Sequence, residues 1–289
     1  MKPERRKGAA VVNSQGHFVW YELITTDVAG AQAFYTNVIG WGAQDASAPG
    51  ATYILFTAGD AVVSGLMDLP ESARNAGGRP YWVGYVEVKD VVATTGEVRR
   101  LGGTVHVPPT DIPNVGHFSV VTDPQTATLG LLKPLHSNRA PAALDATGCV
   151  GWHELLAANW ETAFTFYGSV FGWEKAETVT GDLGAYQLFS VGGRTIGGML
   201  TKPAMMSVPF WLYYFNVEDV DVAERKVKAG GGQILNGPLE LPDGSWILRC
   251  VDPQGAIFAL EGKRRRQPVG YFERTSSHGT GTDDRRWSW

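Results

Sequence analysis

The sequence contains one long phrase twice. Residues 34–41 read FYTNVIGW, and residues 166–173 read FYGSVFGW at an offset of 132 positions. The ungapped match runs back through WYEL at 20–23, which returns as WHEL at 152–155. With small shifts it runs forward to the turns VTDPQ and CVDPQ. Because solenoids and propellers use periods of about 20 to 50 residues, a period of this length indicates two duplicated domains.

The repeat divides the chain into two domains of ordinary size. The stretch between the copies, PLHSNRAPAALDAT, is rich in proline and alanine and lacks apolar periodicity, so it is predicted to be a linker. The expected boundaries are a flexible N-terminus over 1–15, a first module over 16–134, a linker over 135–147, a second module over 148–262, and a basic, partly flexible tail over 263–289.

Composition and charge exclude several classes of function. The chain has 44% hydrophobic and 19% charged residues, which is typical of a soluble globular protein, and it has no apolar run of about 18 residues that could span a bilayer. Residues 263–289 hold seven basic and three acidic side chains, so the modules are acidic and are not expected to bind nucleic acid. We expect a cytoplasmic monomer or homodimer that binds a small molecule and contacts no membrane.

Each copy carries the same local signals. Asp27 is predicted to cap a helix that Gly40 ends in a left-handed conformation, and Asn159 and Gly172 are their counterparts. One copy reads as β-α-β-β-β, a helix and closing strands. In the first strand, HFVWYELIT, alternation assigns one face to Phe18, Trp20, Glu22 and Ile24.

These pieces, in this order and present twice, resemble the vicinal oxygen chelate superfamily, which includes glyoxalase I, extradiol dioxygenases, and fosfomycin and bleomycin resistance proteins. The resemblance covers residues 16–262 and rests on WYELITTDV and AFYTNVIGW, VEVKDV with LGG, and DPQ. It implies an α+β fold of tandem βαβββ modules that form curled mixed sheets around a cavity. We expect one module to make only half of that cavity, which accounts for the repeat.

The resemblance also implies metal-ligand positions. In metal-dependent relatives the ligands stand seven residues before each of the two helix-opening residues and seven after the Asp of the Asp-Pro turn. This chain has Trp20, Val83 and Gly130 there in the first copy, and Trp152, Leu212 and Ala259 in the second. None of these side chains donates to a divalent metal, so no metal or other cofactor is expected. The alternative is a divalent metal in an improvised site built from Glu22, Glu154 and a nearby histidine.

The predicted cavity face carries two Trp-x-Glu pairs. Alternation places Glu22 beside Trp20 and Glu154 beside Trp152. A carboxylate beside an indole is desolvated, which raises its pKa and suits it to general acid or base work or to holding a cation. In the alternative, the carboxylates hydrogen-bond the backbone or tie the modules together, and the tryptophans fill the core.

Further residues are candidates for ligand contact. Tyr85 and Tyr214 share the strand face of the vacant second ligand positions and can donate hydrogen bonds. Arg249, opposite Val120 in the alignment, can pair with an acidic ligand or with Glu154.

Histidines offer one more candidate. His117 stands where the second copy has Trp246, and it is either a loop residue or a general base. His153 has the opposite strand parity from Glu154 and is expected to be a packing histidine with satisfied hydrogen bonds.

Three functions remain open at this point. The first is an enzyme of the superfamily, a lyase, isomerase or dioxygenase-like protein without the standard metal, in which Glu22 or Glu154 handles a proton while Trp20 and Trp152 hold the substrate. The second is a non-catalytic protein that sequesters a planar or cationic compound, such as an antibiotic or toxin. The third is an interaction module with a vestigial cavity, which fully packed tryptophans would support. The absent ligands favour the second function, and the paired carboxylates favour the first.

Overall fold

The structure is a computed structural model that describes residues 14–135, 145–181 and 184–265. The predicted flexible N-terminus, the linker and the basic tail fall wholly or largely outside these ranges. The first half contains β1 (Phe18–Thr25), α1 (Val28–Ile39), β2 (Gly42–Asp45), β3 (Tyr53–Ala58), β4 (Ala61–Asp68), α2 (Glu71–Asn75), β5 (Tyr81–Glu87), α3 (Val91–Arg100), β6 (Thr104–Ile112), β7 (Gly116–Thr122) and β8 (Thr128–Pro134). The second half contains β9 (Val150–Ala157), α4 (Trp160–Phe171), β10 (Glu174–Gly181), β11 (Gly184–Val191), β12 (Arg194–Thr201), β13 (Phe210–Asp219), α5 (Val220–Ala229), β14 (Gln233–Glu240), β15 (Trp246–Val251) and β16 (Ile257–Lys263).

Each half forms one complete eight-stranded mixed sheet. The strand orders are β2-β3-β4-β1-β5-β8-β7-β6 and β10-β11-β12-β9-β13-β16-β15-β14, and neither sheet closes into a barrel. One half therefore holds two βαβββ units, joined where β1 pairs antiparallel with β5 and β9 with β13. The fold class is as expected, but the expectation that one copy makes only half of a cavity is wrong. Each copy curls its own sheet.

The helix signals read from the sequence are confirmed. The Asp27 side chain accepts a hydrogen bond from the Gly30 N–H at the start of α1, and Gly40 ends the helix with a φ of 87°. Asn159 and Gly172 do the same for α4. A residue with a side chain is strained at a positive φ, which is why glycine closes both helices.

The predicted face of Phe18 is wrong. A register shift between Phe18 and Trp20 in the pairing of β1 with β5 inserts a bulge, and a bulge turns the residues before it to the other face. Phe18 therefore packs in the central core with Tyr21 and Leu23, while Trp20 and Ile24 pack on the opposite side.

The two sheets share one core, and side chains of the two repeated segments form hydrogen bonds across it to the other half. The Trp41 indole donates to the Gly148 carbonyl of the other half at 2.8 Å, and the Trp173 indole donates to the Gly16 carbonyl at 2.7 Å. Within helices α1 and α4, the hydroxyls of Tyr35 and Tyr167 donate in the same reciprocal way to Asp252 and Asp123 of the other half, both at 3.0 Å. The phrase occurs twice because each half reaches into the other.

The shared core fixes the orientation of both sheets. It contains side chains from both sheets and from the helices α1, α3, α4 and α5, so these helices lie between the sheets. Each sheet has a second apolar cluster on its opposite face, made from its own half alone. We call these outer surfaces the first and second site faces. Within the described ranges, no helix is long and apolar enough to cross a membrane.

Candidate functional site

The apolar cluster of the first site face gathers side chains from six of the eight strands of its sheet. The cluster is centred on Val83 and Tyr85 of β5, with Trp20 and Ile24 of β1 beside them. Trp20 keeps part of its surface exposed, whereas Glu22 on the same strand face is only 8% exposed. The predicted pairing of an indole and a buried carboxylate on one face is therefore present in the structure.

Two tyrosine hydroxyls hold Glu22. The Tyr53 hydroxyl donates to Glu22 Oε1 at 2.7 Å, and the Tyr85 hydroxyl donates to Oε2 at 2.9 Å. Among the described residues, no lysine, arginine or histidine forms an ion pair with this carboxyl group. Burial raises the pKa of Glu22, and the two hydrogen bonds offset the rise only in part.

Glycines make room for these tyrosines. A Cβ at Gly65 would lie 2.2 Å from the Tyr53 hydroxyl oxygen, and a Cβ at Gly130 would lie 2.1 Å from Cδ1 of Tyr85. Contacts that short do not occur, so both rings depend on the missing side chains. Gly130 is also the last of the three ligand positions that the resemblance implies for the first copy. The Tyr85 ring fills the space that a side chain at this position would need.

The second site face holds its carboxylate differently. Glu154 is 3% exposed and accepts from the Tyr214 hydroxyl at 2.8 Å. The Arg249 guanidinium lies 3.2 Å from Glu154 Oε2, and its Nε donates to the Tyr214 hydroxyl at 3.0 Å. The Tyr186 hydroxyl accepts from the Trp152 indole at 2.8 Å instead of donating to the carboxylate. Of the two partners predicted for Arg249, the structure shows Glu154.

The two faces therefore differ in charge. An arginine neutralises the buried carboxylate of the second half, while the equivalent position in the first half is Val120, which packs in the apolar cluster. Glu22 and Glu154 lie on opposite outer faces, with the shared core between them. The structure therefore does not bring the two carboxylates together as the improvised metal site requires, and the described residues contain no group of three or more His, Cys, Asp or Glu side chains that could hold a metal.

Two predicted contact residues lie away from these carboxylates. His117 shares the strand parity of Val121, whose side chain belongs to the shared core. Trp246 packs against the same core, and the Arg264 guanidinium lies 4.7 Å from its ring centre. His117 and Trp246 therefore do not join either site face.

His153 is a packing histidine, as expected. It is 1% exposed, and its Nδ1 lies 2.7 Å from the Ile196 carbonyl oxygen. Because a carbonyl only accepts, Nδ1 carries the proton and Nε2 accepts from the Tyr21 hydroxyl. Phe18 stacks on the ring at 4.1 Å.

Sequence reasoning missed Tyr53 and Tyr186. They open the matching stretches YILF and YQLF, so the repeat itself marked them as a pair. Their importance became visible only with the sheet order, because Tyr53 reaches Glu22 across β4 and Tyr186 reaches Trp152 across β12.

Fold and site together define an α+β protein of two modules, each built on a mixed eight-stranded sheet. The profile of the Glyoxalase/Bleomycin resistance protein/Dioxygenase superfamily matches residues 15–129 and 150–260. The chain belongs to this superfamily.

Two bacterial relatives resemble the chain over most of its length. A Mycobacterium tuberculosis protein named "Putative glyoxylase CFP32" is 35% identical over 251 residues, covering 85% of this chain and 94% of its own. The anthracycline biosynthesis protein DauV of Streptomyces sp. (strain C5) is 30% identical over 266 residues, covering 86% and 94%.

A solved structure confirms the fold. The Mn(II)-bound glyoxalase from Novosphingobium aromaticivorans superposes with a TM-score of 0.60 at 18% identity, covering 87% of this chain and 83% of its own. At this identity the likeness concerns the fold alone.

Proposed function

We propose that the chain binds a small aromatic molecule on the first site face and that Glu22 transfers a proton to or from it. The observation that carries this proposal is the environment of Glu22: a buried carboxyl group, hydrogen-bonded by Tyr53 and Tyr85, with no ion pair to a cation among the described residues. A half-exposed indole, Trp20, lies on the same face as a surface for stacking an aromatic ring.

The raised pKa suits this role. A carboxyl group with an ordinary pKa is almost fully ionised at neutral pH and is a poor acid there. Burial raises the pKa of Glu22 above that of an exposed glutamate, which makes its acid form easier to reach and its carboxylate a stronger base. The two tyrosines fix the orientation of the carboxyl group, and the remaining lone pairs of its oxygens are available to a ligand.

The second half has a different role in this proposal. Arg249 holds Glu154 in an ion pair, and the Tyr214 hydroxyl donates to the same carboxylate, so both partners of Glu154 come from its own half. We assign Glu154 to the stability of the second module. Trp152 and Tyr214 then line a second face that binds ligands without proton transfer.

We propose further that the chain works without a resident divalent metal. The positions implied by the resemblance hold Trp20, Val83 and Gly130, and the Tyr85 ring occupies the space above Gly130. Neither an indole nor an aliphatic side chain supplies the O, N or S donors that such a metal requires. Metal analysis of the purified chain tests this: a stoichiometric metal would contradict it.

Sequestration is the second candidate function. It is favoured by half-exposed indoles on both faces, which give one chain two stacking surfaces. The relative DauV is named for anthracycline biosynthesis, and anthracyclines are planar aromatic compounds, so an anthracycline aglycone is a suitable probe for either function.

A comparison of Glu22→Gln with the Glu154→Gln/Arg249→Gln double variant tests the proposal. The chain is incubated with a panel of aromatic compounds that includes the aglycone; binding is followed by tryptophan fluorescence and conversion by mass spectrometry. Glu22→Gln should lower turnover by about 100-fold or more, because general acid-base catalysis contributes about that much, and should change the Kd far less. The double variant should turn over normally. Unchanged turnover in Glu22→Gln would refute proton transfer, while binding without any conversion by the native chain would support sequestration.

A further inference from the structure

A third tyrosine lies on the first site face. Tyr81 is the first residue of β5 and pairs with Ile24 of β1, two residues beyond Glu22. Alternation gives Tyr81 the same face as Val83 and Tyr85, and its ring packs in the same apolar cluster. Burial, and after it the charge of Glu22, raise the pKa of Tyr81.

The hydroxyl of Tyr81 has not been used by the fold. Tyr53 and Tyr85 both donate to Glu22, whereas Tyr81 makes no hydrogen bond to any described residue, and its side chain is half-buried. The equivalent position in the second half is Phe210, which has no hydroxyl. The first site face alone therefore combines a carboxyl group that still accepts hydrogen bonds with a nearby free donor.

We infer that the first site face takes a neutral aromatic ketone that carries a ring hydroxyl group, with the hydroxyl donating to Glu22 and the ketone oxygen accepting from Tyr81. This inference rests on the proposed function and names its ligand class. Each Glu22 oxygen receives one tyrosine hydroxyl and keeps a lone pair for one more donor. A ligand with only donors, such as an organic cation, leaves the Tyr81 proton unpaired.

Selectivity follows from this arrangement. A buried donor or acceptor that loses its partner on binding carries a desolvation cost, and sites built to hydrogen-bond a ligand therefore discriminate strongly against analogues that lack the group. The flat ring of the ligand would stack on Trp20, which is the half-exposed aromatic side chain of β1 on this face.

Three matched compounds and two variants of the full chain test the inference. The probes are 2-hydroxyanthraquinone, anthraquinone without the hydroxyl, and 2-hydroxyanthracene without the carbonyl, with 9-aminoacridine as a planar cation. Tyr81→Phe should weaken binding of both quinones by about 2- to 12-fold, the range expected for one hydrogen bond, and should leave 2-hydroxyanthracene unchanged. Phe210→Tyr, the matched change on the second half, should leave binding of the probes to the first site face unchanged.

The outcomes separate this inference from the function on which it rests. If each quinone bound to Tyr81→Phe with the same Kd as to the native chain, the role of Tyr81 would be overturned. Tighter binding of 9-aminoacridine than of 2-hydroxyanthraquinone, or no binding of any quinone, would overturn the ligand class. The proposed proton transfer fails on a separate measurement, the turnover of Glu22→Gln with whichever compound the native chain converts.

Discussion

Tyr21 and His153 occupy equivalent positions in the two halves, and they contact each other: the Tyr21 hydroxyl lies 2.6 Å from His153 Nε2. Equivalent residues meet in this way only near an approximate twofold axis that relates the halves. Gly84 and Tyr213 are a second such pair, since the Tyr213 hydroxyl accepts from the Gly84 N–H at 2.7 Å. At both positions the two residues differ, and the contact needs one residue from each half. Two identical copies of one half could not form these contacts.

The histidine at this axis should make stability depend on pH. Burial lowers the pKa of His153 from 6.5 to about 4. Between these two pH values the His153 imidazole is protonated in the unfolded chain but neutral in the folded chain. The free energy of unfolding therefore falls by up to about 3 kcal/mol as the pH is lowered from 6.5 to about 4. Urea unfolding at pH 7.5 and 5 should show a shallower pH dependence for His153→Gln than for the native chain. Equal slopes would show that His153 does not titrate in this way.

The glycine at the axis should not tolerate a methyl group. A Cβ at Gly84 would lie 2.7 Å from Cε1 of Tyr213 and 2.8 Å from Cδ1 of Phe18, both in the shared core. Gly84→Ala should therefore lower the free energy of unfolding by about 1 to 3 kcal/mol. The control is Gly96→Ala on helix α3, where a Cβ meets nothing within 4 Å and should stabilise by about 0.5 to 1 kcal/mol. Two variants of equal stability would contradict the close approach.

The crossed tyrosines should join the halves into one cooperative unit. In Tyr35→Phe, Asp252 loses a donor and the Trp82 indole loses its acceptor, because the Tyr35 hydroxyl serves both. The expected loss is about 1 to 3 kcal/mol, and Tyr167→Phe should cost a similar amount. Tyr81→Phe removes a hydroxyl that the fold does not use and is the control. Chemical unfolding should show a single transition in all three, and separate transitions for the two halves would argue against one cooperative unit.

The ion pair of the second half should be strongly coupled. Arg249→Gln leaves Glu154 buried without its cation and should cost about 3 to 5 kcal/mol. Removing both charges in Glu154→Gln/Arg249→Gln should cost less than the Arg249→Gln change alone, because no unpaired charge remains. A double-mutant cycle measured by urea unfolding gives the coupling energy, and strictly additive losses would show that the pair contributes nothing.

Much of this site could be predicted from local sequence patterns. Alternation placed Glu22 with Trp20 and Glu154 with Trp152, and the repeat alignment showed that Arg249 has only Val120 as its counterpart. Those inferences needed only the two-residue alternation of side chains along a strand and an alignment of the two copies, and both can be read from the sequence. The difference in charge between the two faces follows directly from the Arg249 position.

The remaining features depend on contacts that local patterns do not encode. The bulge before Trp20 reversed the face of Phe18, and alternation carries no sign of an inserted residue. Each copy forms one complete sheet because β1 pairs with β5 and β9 pairs with β13. These strands are far apart in the sequence, so their pairing cannot be read from local patterns. Tyr53 reaches Glu22 only because Gly65, on the intervening strand β4, has no side chain.

Each half completes its own sheet, so each outer face is built from the residues of one half. The core between the sheets is built from both halves. A substitution at Glu22, Tyr53 or Tyr81 alters the first site face and leaves the second intact. A substitution at Tyr35 or Gly84 is felt throughout the chain. In such an architecture the residues of one outer face can change during evolution while the other half and the shared core continue to stabilise the fold.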